Sequence, residues 1–210
     1  MEPTIYKPSI YKGAGIYNTG ACGGGGGGNT PVLPEGLQIL ESVKIVGNVT
    51  NVHWQWGGSG LEDTDVEYIG ELKINSSTPS SSSVVLNRNG SMATFVYQNG
   101  GAGIYGTTKN IGLPFDEWFT LTQKNGYLNN ISVVSPGTGT FSSIYLFCKQ
   151  GYQTYENFKG EFKRFTVQKN DNGFITKYSD VIPVKNTQTE QIGVYDIVRD
   201  AVFYNSNFIE

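Results

Sequence analysis

From Leu37 onward, hydrophobic and polar residues alternate with a period of two, and turn-forming residues interrupt the alternation every few positions. In "VEYIGELKI", Val66, Tyr68, Gly70, Leu72 and Ile74 share one parity, and Glu67, Ile69, Glu71 and Lys73 share the other. Successive side chains of a strand point to opposite faces, so this stretch predicts a strand with one dry and one wet face. "MATFVYQ" sets Ala93, Phe95 and Tyr97 against Met92, Thr94, Val96 and Gln98, while "EWFTLTQ" sets Phe119 and Leu121 against Trp118, Thr120 and Thr122. "LQILESVKIVG", "SIYLFCK", "EFKRFTVQ", "FITKYSD" and "QIGVYDIV" are further strand segments. Asn-Gly steps at Asn89-Gly90, Asn99-Gly100, Asn125-Gly126 and Asn172-Gly173 supply the positive φ that tight hairpins demand, and "TQKNGYL" has the form of a simple hairpin. No long segment carries a helical stripe. The sum is about ten to thirteen short strands in an antiparallel β-sandwich or barrel.

Two stretches break the pattern. "NSSTPSSSSV", residues 75–84, offers little apolar area and predicts an exposed loop or inserted tip. Near the N-terminus, six consecutive glycines, Gly23 to Gly28, follow a segment that repeats Ile-Tyr three times: Ile5-Tyr6, Ile10-Tyr11 and Ile16-Tyr17. Polyglycine has the largest backbone entropy of any sequence and gives a core nothing to bury. Each Ile-Tyr pair is amphipathic and strand-friendly, Lys7 and Lys12 keep the segment soluble, and Pro3 and Pro8 bias it towards extended backbone. The expected organisation is an anchoring arm and linker over residues 1–34 and a β head over residues 35–210. The arm reads as a docking peg that orders on a partner, and the glycines give the head freedom to pivot.

Composition narrows the function classes. Charged residues are 16% of the chain and the net charge is −3, which gives no basic face for nucleic acid or an anionic membrane. No apolar run approaches the roughly 20 residues of a membrane span. The two cysteines, Cys22 and Cys148, lie in unlike settings and show no metal-ligand spacing, so neither a disulfide framework nor a zinc site is expected. "MEPTIYKPSIYKG" lacks a basic segment followed by an apolar one, so the expected route is assembly inside the producing cell without Sec export. No cofactor is implied.

Candidate chemistry is sparse. His53, the one histidine, stands in "NVHWQWGG" with no nucleophile motif elsewhere and reads as a strand residue. Trp54 and Trp56 project to one face of that strand, as core or as a platform for sugar rings. In "LEDTDVEYIG", Asp63, Asp65 and Glu67 alternate and face one way on a strand. Such a set reads as a wet strand face, as weak calcium ligands, or as the carboxylate pair of a retaining glycosidase. Laminarinase-type glucanases carry a similar alternating acidic motif, with a Glu where this chain has Asp63. Tyr152 and Tyr155, in "KQGYQTYENF", are loop aromatics that suit either a glycan or a subunit interface.

The C-terminal half carries a resemblance. "LPFDEWFTLTQKNGYLNN", in which Trp118 opens a strand leading to a hairpin, is followed by "SSIYLFCKQ" and then by "ENFKGEFKRFTVQKNDNGFITKYSDVIPVKNTQTEQIGVYDIVRDAVFYN". This order resembles the concanavalin A-like, laminin-G-like modules common in tailed-bacteriophage virion proteins and gut bacterial surface proteins. The matching positions are Gly160, Phe165, Val167, Gly173, Pro183, Val184, Gly193, Tyr195, Asp196, Val198, Phe203 and Tyr204, with Phe162 and Val194 at other apolar places. Lys163, Val181 and Ser206 depart from the pattern. The resemblance implies an all-β, two-sheet antiparallel jelly-roll sandwich, with Gly160 and Gly193 in turns and the Phe, Val and Tyr positions in the core. The N-terminal segment is similar to leaders of tailed-phage structural proteins.

The resulting expectation is a non-enzymatic virion structural protein, a head fibre or capsid decoration protein ahead of a tail-associated one, assembled in the bacterial cytoplasm and displayed on the virion surface. Its arm residues Ile5, Tyr6, Ile10, Tyr11, Ile16 and Tyr17 would contact other virion proteins. Its head would form a homo-oligomer, a trimer above other states, and contact host-surface glycans through Trp54, Trp56, Tyr152 and Tyr155. A glycoside hydrolase built on Asp63, Asp65 and Glu67 and a bacterial surface adhesin are the alternatives on the same fold.

Overall fold

The computed structural model describes residues 31–47, 49, 52–55, 61–62, 66–75, 83–88, 92–96, 101–104, 107–133, 140–141, 143–147 and 158–210. In chain order the strands are β1 (Leu37–Ile39), β2 (Val43–Ile45), β3 (His53–Gln55), β4 (Leu61–Glu62), β5 (Val66–Ile74), β6 (Ser83–Arg88), β7 (Met92–Val96), β8 (Gly101–Ile104), β9 (Thr107–Asn110) and β10 (Trp118–Lys124). They continue with β11 (Tyr127–Leu128), β12 (Ile131–Ser132), β13 (Thr140–Phe141), β14 (Ser143–Leu146), β15 (Gly160–Asp171), β16 (Phe174–Asn186), β17 (Ile192–Asp196), β18 (Ala201–Tyr204) and β19 (Phe208–Ile209). Among the described residues there is no helix, and the nineteen segments outnumber the expected strands because several are short flanking pieces.

The strands form two large antiparallel sheets. An 11-stranded sheet runs β12-β11-β10-β5-β15-β16-β17-β18 and takes β1, β2 and β19 as branches, and a 6-stranded sheet runs β3-β14-β6-β7-β8-β9. The chain changes sheet repeatedly: β5 and β10 are neighbours although β6 to β9 intervene, and β14 sits between β3 and β6. One core lies between the sheets. Val66, Tyr68, Leu72, Ile74, Leu121, Phe162, Phe165 and Val167 from the large sheet meet Val85, Leu86, Ala102, Ile104, Ile144 and Leu146 from the small one. The fold is the two-sheet antiparallel jelly-roll sandwich expected.

Local chemistry accounts for the elements. The burial of β5 alternates along its whole length with the parity of the sequence, Val66, Tyr68, Gly70, Leu72 and Ile74 facing the core. Two-residue loops at Asn125-Gly126 and Asn172-Gly173 join β10 to β11 and β15 to β16, with φ of 42° and 87° in the first and 53° and 94° in the second. Positive φ at both central positions is the twist-matched hairpin geometry, and Asn-Gly meets it with the least strain. Asn129 and Asn130, with φ of 46° and 63°, make a third such loop between β11 and β12. In β16, Pro183 lies between the last β15 pair, Phe165 with Val181, and the first β1 pair, Ile39 with Val184. On that side the strand changes partner, and the Pro183 carbonyl faces the same way, accepting from the Leu40 N–H at 3.1 Å, so the missing N–H leaves the continuous β16–β17 ladder intact.

Three expectations are corrected. Gly160 and Gly193 are not turn residues: they open β15 and lie within β17. A Cβ on Gly160 would sit 2.1 Å from the Lys73 carbonyl oxygen, and one on Gly193 would sit 2.4 Å from that of Phe203. Both glycines permit close approach of a neighbouring backbone. The stretch 75–84 does not loop throughout, because Ser83 and Val84 already belong to β6, paired with Val96 and Phe95 of β7. "LQILESVKIVG" is two strands, β1 and β2, that pair with different partners, β16 and β15.

Candidate functional site

The outer face of the large sheet brings charged, polar and aromatic side chains into register. Core packing takes alternate residues of β5 and β10, so the other parity faces outward: Glu67, Ile69, Glu71 and Lys73 from β5, and Trp118, Thr120, Thr122 and Lys124 from β10. Register lines these up in rows. Lys124, Glu67 and Gln168 form one row, and Trp118, Lys73 and Glu161 another. The Nε2 of Gln168 donates to Glu67 Oε2 at 3.1 Å, and Lys73 pairs with Glu161 at 3.1 Å. Lys163 pairs with Glu41 at 3.1 Å and places its ammonium 4.4 Å from the Trp118 ring centroid.

Deeper in the same face, the carboxylate of Asp180 is almost fully covered. Arg164 grips it with two parallel bonds, Nε to Oδ1 and Nη2 to Oδ2, both 2.7 Å, and Lys177 Nζ donates to Oδ2 at 2.7 Å. Burial alone would raise this carboxyl, but the fork from Arg164 and the bond from Lys177 outweigh it and hold it below the usual carboxylate range. A second carboxylate, Asp196, is fully buried at the end of β17. It accepts from Ser179 Oγ at 2.7 Å, from the Asp180 N–H at 3.1 Å and from the Val198 N–H at 3.0 Å. Burial pushes Asp196 up, against those bonds and the charge of Arg199. The Val198 contact closes the turn into β18, so this acid has a structural place in the hairpin.

Of the residues singled out in the sequence, Glu67 lies on the outer face in contact with Gln168, and its neighbours Asp63 and Asp65 lie outside the described residues. His53 is in β3 as expected, exposed, and stacked on Tyr145 with centroids 5.1 Å apart. Trp54 is in the same strand. Trp56, Tyr152, Tyr155 and the arm residues Ile5, Tyr6, Ile10, Tyr11, Ile16 and Tyr17 lie outside the described residues. The Asp180 cluster escaped the sequence reading because Arg164, Lys177 and Asp180 are scattered along two strands and meet only through their register. Among the described residues, no three His, Cys, Asp or Glu residues stand close enough to hold a metal ion. No helix there is long and apolar enough to cross a membrane.

The head also fixes where the chain enters it. Ile182 and Val184 of β16 and Tyr195 of β17 form a second cluster on the outer face, separate from the main core, and Leu33, Leu37 and Ile39 pack against it. Val32, one residue earlier, is 94% exposed.

No protein-family model matches this chain, and no curated protein matches it. Among solved structures it is similar to the native heptameric SAP-like pentraxin from Limulus polyphemus, at 11% identity over 60% of this chain and 74% of that one, with a TM-score of 0.37, a likeness too low to carry a ligand or an assembly across.

Proposed function

We propose that the chain is a non-enzymatic structural protein of a tailed-phage virion, a head fibre or capsid decoration protein that displays a jelly-roll head on an N-terminal arm. Residues 1–34 attach to another virion protein through the three Ile-Tyr pairs, and the head makes weak contacts with host-surface glycans. It is assembled in the bacterial cytoplasm as a homo-oligomer, with a trimer as the preferred state, and works at the virion surface. Several arms on one assembly raise effective concentration, so a peg that buries little alone still holds.

The observation that supports this most directly is the junction at Leu33. Leu33 packs there against Ile182, Val184 and Tyr195, close to the boundary at which the proposed arm would meet the head.

The test is co-sedimentation with virion particles that lack this protein, comparing the full chain with a variant carrying Tyr6→Ser, Tyr11→Ser and Tyr17→Ser. The full chain should sediment and the variant should remain in the supernatant. Equal sedimentation of both, or of neither, defeats the attachment reading. Turnover of a polysaccharide that is lost in Glu67→Gln would put a glycoside hydrolase in its place.

A further inference from the structure

We infer that a water molecule is built into the core between the two sheets, held by Gln123 and Thr94 in space that Gly70 leaves open. The inference concerns the sandwich itself and holds whether or not the arm is an anchor.

Gly70 is the first observation. It lies in the middle of β5 on the parity that faces the core, between Tyr68 and Leu72. Its neighbours across the ladders are Leu121 of β10 and Phe165 of β15. A glycine inside a strand loses more conformational freedom on folding than any other residue and packs nothing, so its presence needs a reason. Neither common reason applies. Its φ lies outside the left-handed region, and a Cβ built there would stand 3.6 Å from Leu72 and 3.6 Å from Phe165, which is ordinary contact. Gly160 and Gly193 differ, because a Cβ on either would strike a backbone carbonyl. A methyl group fits at Gly70, and the chain does without it.

The second observation is what borders the gap. Gly70 lines a cavity of about 10 Å³, enough for one water centre and too small for an organic ligand. Leu86 and Thr94, opposite each other in β6 and β7, close it from the small sheet. Gln123 lines it from the large sheet. Its ladder partner is Tyr68, the inward residue before Gly70, so Gln123 and Gly70 are diagonal neighbours, about 7–8 Å apart and within reach of a long side chain. Gln123 is 2% exposed and Thr94 1%. The Thr94 hydroxyl donates to Gln123 Oε1, and the Gln123 Nε2 has no hydrogen-bond partner among the described residues.

A buried amide N–H without an acceptor bears the full cost of its lost hydration. Water combines a size that fits this cavity with an acceptor for Nε2. The same water can donate to a lone pair of Thr94 Oγ1, whose own proton is committed to Gln123. Two polar partners, one from each sheet, are the minimum that keeps a buried water ordered. An alanine at position 70 would take the water's space and strand the amide, and that is the reason for glycine.

Gly70→Ala tests this in two backgrounds: the otherwise unchanged full chain, and the full chain carrying Thr94→Val with Gln123→Leu, where neither polar partner remains. In the unchanged background the urea midpoint should fall. Relaxation dispersion of water oxygen-17 should then count one long-lived buried water fewer than in the wild type. In the second background the methyl group should enter a dry gap, raising the midpoint and leaving the water count as it was. A midpoint that rises or stays level in the unchanged background would mean that the gap is dry there too, and overturns the inference. A fall in both backgrounds would assign Gly70 to backbone geometry, and an unchanged water count in the first would place no water beside it. Either result overturns the inference as well. Should the second background fail to fold, the comparison of Gly70→Ala with the wild type decides alone, and both midpoint and water count must fall.

Discussion

Glycines and carboxylates carry the sharpest residue-scale consequences. Gly160→Ala drives a methyl group into the Lys73 carbonyl, a backbone atom that cannot swing aside, whereas Gly173→Ala meets nothing within 4 Å and suffers only its φ of 94°. The expected cost is about 1–2 kcal/mol at Gly173 and clearly more at Gly160, read as urea midpoints. Equal costs would mean that the strand at Gly160 shifts freely. The two buried acids respond to pH in opposite senses. Asp180 has its pKa lowered by Arg164 and Lys177 against burial, so its stabilisation is present above the ordinary carboxylate range and is lost as pH falls through the lowered value. Arg164 and Lys177 are about two-fifths exposed, so solvent screens part of the attraction. Asp180→Asn should therefore cost about 2 kcal/mol at pH 7 and progressively less in acid. Asp196 has its pKa raised by burial, so the protonated form suits the fold: its contribution is complete below the ordinary range and is lost as pH rises through the raised value. Asp196→Asn should be tolerated at pH 7 and lose ground to the wild type as pH is lowered. Greater damage at pH 7 than in acid would show that the fold requires the charge.

One polar contact ties the two sheets together at the scale of elements. Thr94, in β7 of the small sheet, donates its hydroxyl to Gln123 Oε1, in β10 of the large sheet; both are buried, and the Gln123 Nε2 has no hydrogen-bond partner. They line a cavity of about 10 Å³ with Tyr68, Leu86 and Leu121, space for the centre of one water molecule. Thr94→Val strands the glutamine acceptor and should cost about 1–3 kcal/mol, whereas Thr94→Val with Gln123→Leu replaces both partners and should recover most of that loss. Additive losses in chemical denaturation would show that the two side chains do not act as a pair. This contact also marks where the sequence stops being legible. Alternation identified β5 and its buried face because one side is apolar throughout, and Asn-Gly located the loops after β10 and β15. In β7 the buried Thr94 has a polar side chain, and the alternation did not say which parity of that strand faces the core. In β16, Ser179, Val181, Ile182 and Val184 are all buried, because the main core covers one face and the Leu33 cluster the other, so no alternation remains to read. Gly160 and Gly193 resemble turn glycines in sequence, and only the neighbouring carbonyl reveals their role. The candidate site was hardest to read. Trp118 was visible as a strand opener, but its pairing with Lys163, and the meeting of Arg164, Lys177 and Asp180, depend on a register that no local signal encodes.

For the whole molecule, the decisive position is the one at which the described chain first packs onto the β-sandwich. Composition predicts a boundary after residue 34, past the polyglycine run and the Pro31–Pro34 stretch, yet packing reaches back to Leu33. The outer cluster that Leu33 joins is small, with Ile182, Val184 and Tyr195 at its centre, so each member carries a large share of its burial. Leu33→Ala in the full chain should lower stability by about 1–3 kcal/mol, less than a fully buried leucine because its side chain is only partly covered. Val32→Ala should stay within about 0.5 kcal/mol, as expected for an exposed position. Urea unfolding followed by tryptophan fluorescence separates the two. A silent Leu33→Ala would move the first residue that stabilises the head to Leu37 in β1. A loss at Leu33 with none at Val32 would show that Leu33 is the point at which the described chain first contributes to the head, through the cluster on the outer face of β16.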